Sequence, residues 1–170
     1  MLTKEELHEI DHEIVKYPVR EAAGLDALII VQRHRGYVSD EMLLQVASYL
    51  KMSPTELDSI ATFYNLIYRK PVGRCVIRLC DSVSCYIRGY ETIRAAIKTE
   101  LGIDFGQTTS DKKFTLLPAQ CLGTCDRAPA MMINDELFRD LEPSKVGAIL
   151  KSCEVVDKRH EHAAHEKHPS

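Results

Sequence analysis

Cys80-Asp81-Ser82-Val83-Ser84-Cys85 and Cys121-Leu122-Gly123-Thr124-Cys125 decide how this chain is read. The two short loops offer two thiols each, and 35 residues of ordinary globular sequence separate them. They can meet if the intervening segment folds back on itself, and four converging thiolates make a metal or iron–sulfur site. Structural zinc usually takes tighter cysteine knuckles, often completed by histidine. Here the inner gaps are four and three residues, and no histidine lies between residues 35 and 159. A wider loop straddles two irons as easily as it wraps one ion. The spacing therefore favours a [2Fe–2S] cluster held by Cys80, Cys85, Cys121 and Cys125, with zinc as the alternative.

The elements around the loops read as a small α/β layer structure. Cys75-Val-Ile-Arg-Leu79 is rich in β-branched residues and delivers Cys80 at its end. Gly89 to Leu101 has helical spacing, with Ile93, Ala96, Ile97 and Leu101 inward and Gly102 as its stop. Phe114-Thr-Leu-Leu117 is a second strand leading to Cys121, Met131-Met-Ile133 a third, and Asn134-Asp135 turns it into a fourth around Leu137-Phe138. Pro143 to Leu150 is predicted as a last helix.

The first seventy residues follow a different period. Thr3-Lys-Glu-Glu6 has the form of a capping box and opens a helix with Leu7, Ile10 and Ile14 on one face. Pro18 stops it. A second helix runs from about Arg20 to Arg35, with Ala22, Leu25, Leu28 and Ile29 inward and Gly36 as an αL cap. Ser39 and Ser53-Pro54-Thr55-Glu56 open a third and a fourth. Short connections between four helices imply a bundle. The expected organisation is α+β with two domains: a helical bundle for partner docking over 1–70, the cysteine-bearing domain over 71–153, and a disordered His-rich tail over 154–170. Pro71-Val-Gly73 is the expected hinge.

Composition narrows the function classes. Net charge is −3, and neither half carries the basic excess that nucleic-acid binding leaves, so no nucleic-acid partner is expected. No apolar run approaches a membrane span, so no direct membrane insertion is expected. The start Met-Leu-Thr-Lys-Glu-Glu lacks a basic flank and apolar core, which predicts no secretory leader and a reducing compartment. The six cysteines are accordingly read as ligands plus two buried or spare thiols, Cys75 and Cys153, rather than as disulfides.

The residues flanking the loops carry a resemblance. Tyr86-Ile-Arg-Gly89 after the first loop and Asp126-Arg-Ala-Pro129 after the second are similar to the thioredoxin-like [2Fe–2S] ferredoxin family. Ala61-Thr-Phe-Tyr64, Arg69-Lys-Pro-Val-Gly73, Gly106-Gln-Thr-Thr109, Phe114-Thr-Leu116 and Met131-Met-Ile-Asn-Asp135 resemble a narrower branch, the small iron–sulfur subunits of the NADH dehydrogenase module of respiratory complex I. The resemblance covers roughly residues 10 to 150.

It implies a thioredoxin-like fold for the second domain and an electron-transfer role with one [2Fe–2S] cluster. It implies docking beside a larger subunit that holds flavin and oxidises NADH, and through it contact with the rest of a peripheral arm. The corresponding location is cytoplasmic, at the inner face of the bacterial plasma membrane. The chain would belong to NADH:quinone oxidoreductase without an active site of its own beyond the redox cluster. Consistently, it contains no GxGxxG or phosphate-cradling loop. An equivalent subunit of an NAD-linked hydrogenase or formate dehydrogenase stays open, as does a zinc-stabilised interaction module. A dithiol oxidoreductase would need a Cys-x-x-Cys site, and none occurs.

The remaining chemistry-bearing residues read more plainly. His8, His12 and His34 are expected on polar surfaces, and His160, His162, His165 and His168 in a solvated tail. Phe63, Tyr64 and Tyr68 are expected as core rather than as an exposed docking patch. Ser82, Ser84 and Thr124 could donate to sulfur, and Gly123 permits close backbone approach. Arg78, Arg88 and Arg127 either raise the potential of a bound cluster or serve as ordinary salt-bridge partners. Pro129 stands where thioredoxin-like folds often carry a cis proline.

Overall fold

The computed structural model describes residues 1–64 and 66–153. The tail over 154–170 lies outside them. The chain divides into two compact units that meet at Val72 and Gly73.

In the first unit the capping signals act as written in the sequence. α1 (Lys4–Ile14) opens on a complete capping box, the Glu6 N–H donating to Thr3 and the Thr3 N–H donating to Glu6. α2 (Gly24–Arg35), α3 (Asp40–Leu50) and α4 (Pro54–Phe63) follow, with a short 3-10 turn at Arg20–Ala23 before α2. The predicted start of the second helix at Arg20 is thus a separate turn. Its predicted inward face is also corrected: Ala22 and Ile29 are exposed, while Ala27, Leu28, Ile30 and Val31 are buried. An apolar run from Ala27 to Val31 covers both faces of a helix, so periodicity alone could not choose between them. Ile10 of α1 and Val46, Ala47, Leu50 and Leu57 of α3 and α4 complete this core.

A buried ion pair ties α1 to α2. Glu6 is 1% exposed and accepts hydrogen bonds from the Arg35 guanidinium at 2.6 and 2.7 Å. The segment after α4 folds back on the same helices: Gln32 bonds the Leu66 carbonyl and the Tyr68 N–H, and Arg69 pairs with Asp40. It does not bury its aromatic start. Phe63 is 77% exposed and Tyr64 41%, which corrects the core reading of both, because the helix ends there and leaves their rings beyond its packed face.

The second unit is built on a mixed five-stranded sheet in the order β2-β3-β1-β4-β5. Its strands are β1 (Cys75–Cys80), β2 (Gln107–Thr108), β3 (Phe114–Ala119), β4 (Met131–Ile133) and β5 (Glu136–Phe138). β1 runs parallel to β3 and antiparallel to β4, with Cys80 in register with Ala119 and Leu79 with Met131. A parallel pair needs a crossover, and here it holds α5 (Val83–Ile87), α6 (Tyr90–Leu101) and β2. The last helix, α7, spans 143–153. Ile77, Leu79 and Leu116 of the sheet, Ile93 and Ile97 of α6, and Val146 and Leu150 of α7 are all buried in one core. Gly73 opens this unit where only glycine fits, since a Cβ there would stand 2.8 Å from the backbone of Lys113 and Phe114.

Cys75 and Cys153 are joined by a disulfide, which corrects their reading as spare thiols. The first residue of β1 and the end of α7 are brought together by the packing of that helix on the sheet, a long-range contact the sequence pattern does not encode.

The buried ion pair generates a pH dependence. Arg35 holds the Glu6 carboxyl at about 2, below its ordinary range. A folded-state pKa that is depressed contributes stability above the unfolded value, and that contribution fades as pH falls toward the folded one. Glu6→Gln is expected to cost about 3 kcal/mol at neutral pH and to flatten the loss of stability between about pH 5 and 2. Denaturant unfolding of both proteins across that range, followed by far-UV circular dichroism, checks it.

Candidate iron–sulfur site

Parallel pairing carries both cysteine loops to the same edge of the sheet. Cys80 ends β1, held by its N–H to the Ala130 carbonyl at 3.1 Å, and the Asp81 N–H reaches the Ala119 carbonyl at 3.0 Å. The chain then turns into α5, which buries Cys85 at 3% exposure. From Ala119 at the end of β3 only Gln120 intervenes before Cys121. A tight turn follows through Gly123, at φ +77°, and Cys125 opens a short 3-10 turn. The Ala128–Pro129 peptide is cis, as the sequence suggests, and leads into β4.

The four cysteines on this edge are all free thiols. The Cys121 and Cys125 sulfurs stand 3.2 Å apart. Cys80 raises the Cys85 thiol, and Cys125 feels the charge of Cys80. Two pairs in mutual electrostatic contact match the donor set of a diiron core, which takes two ligands at each iron. Among the described residues no three Cys, His, Asp or Glu side chains are gathered around one point.

The pairs differ in environment. Cys80 and Cys85 are buried, whereas Cys121 and Cys125 are exposed. Burial, then the hydrogen bond with Cys80, pushes the Cys85 thiol up to about 11, against the opposing pull of the Ala130 N–H. Cys121 lies below the ordinary thiol range, chiefly because the Gly123 N–H donates to its sulfur at 3.4 Å and secondarily through Cys125. Cys125 is raised by its bond to Cys121, while the Ser84 hydroxyl acts the other way. The Gly123 N–H donates to sulfur directly, while the Ala130 N–H and the Ser84 hydroxyl pull Cys85 and Cys125 down against the effects that raise them. Such donors stabilise negative charge on thiolate sulfur and tune iron–sulfur potentials.

Sequence reasoning named Ser84 and Gly123 but missed the Ala130 amide, because nothing in a residue type reports which backbone N–H a strand leaves free. Of the cations, Arg127 pairs with Asp140 at 2.6 Å, and Arg88 donates weakly to the Ala128 carbonyl at 3.4 Å. Arg78 is 6% exposed and bonds the Asn134 carbonyl, with its Nε unpaired. Of the described histidines, His34 pairs with Glu9, and His8 and His12 line a cleft between α1 and α2.

A profile of the thioredoxin-like [2Fe–2S] ferredoxin family matches residues 10–154. The chain belongs to that family, and a [2Fe–2S] cluster is its cofactor. It is 44% identical to the NADH-quinone oxidoreductase subunit designated E in Buchnera aphidicola, over 89% of this chain and 93% of that one. The same-named proteins of Pseudomonas aeruginosa and Escherichia coli are 44% and 45% identical, over 89% and 88% of this chain and 92% and 90% of theirs. Among solved structures, a chain of the H2-reduced NAD+-reducing [NiFe]-hydrogenase superposes with a TM-score of 0.63 at 23% identity, over 78% of this chain and 22% of that one. This last likeness speaks to fold alone.

Gly123 is the position where the site depends on backbone freedom. No neighbour would meet an added Cβ, so the cost of Gly123→Ala comes from its positive φ. Destabilisation of about 1 kcal/mol is expected, read as a lowered denaturant midpoint at unchanged slope.

Proposed function

We propose that this chain is the electron-transfer subunit of an NADH:quinone oxidoreductase, with Cys80, Cys85, Cys121 and Cys125 as the ligands of its [2Fe–2S] cluster. The observation that carries this reading is the meeting of two free thiol pairs, from loops 35 residues apart, at one edge of the sheet. Identity of 44–45% along nearly the whole length of the named quinone-enzyme subunits favours that complex over an NAD-linked hydrogenase, which shares the fold at lower identity.

When bound, the cluster accepts and returns single electrons. The residues of the chain hold and tune it. Cys80 and Cys85 anchor it on the core side, where burial excludes water. Cys121 and Cys125 present it at the surface, where an electron partner can come close. The N–H groups of Gly123 and Ala130 and the Ser84 hydroxyl donate to the ligating sulfurs and favour the more negative, reduced state. Arg78, although buried two residues before Cys80, directs its guanidinium to the Asn134 carbonyl beside Arg74 and Val76, at the other end of β1.

The partner in this reading is the flavin-bearing, NADH-oxidising subunit. Val83, Tyr86 and Ile87 support it: they flank Cys85 on α5 and are 71%, 58% and 75% exposed, an apolar surface at the cluster edge. Residues 1–70 would act as a helical bundle that docks against the same complex, and Phe63, Tyr64 and Leu66 offer it exposed apolar area. Residues 71–153 would be the ferredoxin domain. No described helix is long and apolar enough to cross a membrane, and the chain would sit in the peripheral arm at the cytoplasmic face.

The test is the anaerobically produced chain, reduced with dithionite and examined by electron paramagnetic resonance with iron and zinc analysis. A signal of spin one-half and about two irons per chain are expected. Cys80→Ser, Cys85→Ser, Cys121→Ser and Cys125→Ser should each lose or strongly alter that signal. One zinc and no iron, or a signal indifferent to all four changes, would overturn the reading.

A further inference from the structure

We infer that Cys75 and Cys153 form a redox-reversible staple of the second unit, closed by a small disulfide oxidant and opened by a thiol reductant. The proposal does not depend on the cluster reading, because neither cysteine lies in the loops that carry it.

The two residues come from opposite ends of the unit. Cys75 is the first residue of β1 and is 2% exposed; Cys153 is the last described residue of α7 and packs half-buried against the same core. They are 78 residues apart in sequence and bonded in space. α7 brings them together by burying Val146 and Leu150 on the core that Ile77 and Leu79 of β1 also enter. The approach of the two sulfurs is therefore a consequence of packing, and it persists when the bond is open.

Reactivity divides between them according to access. Cys153 is the end that a small oxidant can reach, since Cys75 is closed off by the sheet. The Cys153 thiolate attacks a sulfur of glutathione disulfide, forming a mixed disulfide and releasing one glutathione thiolate, which takes up a proton. The Cys75 thiol, giving up its proton, then attacks the Cys153 sulfur, and the second glutathione leaves as thiol. The two cysteines are oxidised by two electrons, and one glutathione disulfide is reduced to two glutathiones. Excess reduced glutathione runs the same steps backward.

What the staple encloses gives it meaning. The ring closed by Cys75 and Cys153 contains all four cysteines of the site, Cys80, Cys85, Cys121 and Cys125. A cross-link over so long a loop removes much of the freedom of the unfolded chain. Closed, it ties β1 to α7 across a ring that contains both cysteine loops, with or without a cluster between them. An oxidising thiol pool, which endangers exposed iron–sulfur sites, is also what closes the ring.

The test equilibrates the full-length, anaerobically produced chain in buffers of rising glutathione disulfide fraction. Free thiols are trapped by alkylation, and non-reduced peptides are mapped by mass. The expected result is one linked pair, the Cys75 peptide with the Cys153 peptide, rising as a single two-electron transition. Thermal unfolding should shift upward by about 10 °C across it, and Cys75→Ser and Cys153→Ser should abolish the shift. Cys153→Ser alters the half-buried end and leaves the sheet core intact, so it keeps the test informative if the buried change disturbs folding. Linkage of Cys121 to Cys125 alone, glutathione adducts that never resolve, or an unfolding midpoint indifferent to oxidation would overturn the proposal. Iron content recorded on the same samples reports separately on the four-thiolate site.

Discussion

The parallel pairing of β1 with β3 is the constraint on which the rest of the second unit depends. Two cysteine loops far apart in sequence must reach one edge of the fold, and parallel strands end on the same edge while antiparallel neighbours do not. The register of Cys80 with Ala119 sets the two loops side by side. Parallel pairing in turn demands a crossover long enough to return the chain, and that is the task of α6, whose Ile93 and Ile97 bury against the sheet. Gly73 lets the entering chain pass close beside the Lys113–Phe114 backbone, where an added Cβ would stand 2.8 Å away and force β1 and β3 apart.

A second constraint is electrostatic. Four thiolates close together repel, and burying two of them adds a desolvation cost. The raised pKa of Cys85 is the mark of that cost. The fold offsets it with dipoles more than with ion pairs. Gly123 and Ala130 turn N–H groups toward sulfur, and Ser84 adds a hydroxyl. Arg127, which by sequence proximity could serve the site, directs its charge to Asp140. The first unit handles a buried charge differently, surrounding Glu6 with Arg35 and the Thr3 backbone.

Much of this was legible from local patterns. Thr3-to-Glu6 and Ser53-to-Glu56 are written in residue types and appear as capping boxes where expected. Strands β1, β3, β4 and β5 and the helices after Gly89 and Pro143 fall near their predicted places, since apolar period and turn residues mark them. What stayed hidden depends on long-range packing. β2 is two residues long and carries no periodic signal. Continuous apolar runs concealed the inner face of α2, and the exposure of Phe63 and Tyr64 follows from where α4 ends rather than from their chemistry. The Cys75–Cys153 bond joins two residues whose neighbours give no hint of each other. The cysteine spacing singled out the four thiols, while the Ala130 amide that acts on Cys85 became visible only with the strands in place.

The measurement that tests the central claim most directly is the native mass of the intact, anaerobically produced chain. The account predicts a mass greater than that of the polypeptide by two irons and two sulfides, less the protons of four thiols, and a return to the bare mass when Cys85 and Cys121 are both changed to serine. A mass increased by one zinc ion, or two irons retained by that double variant, would contradict it.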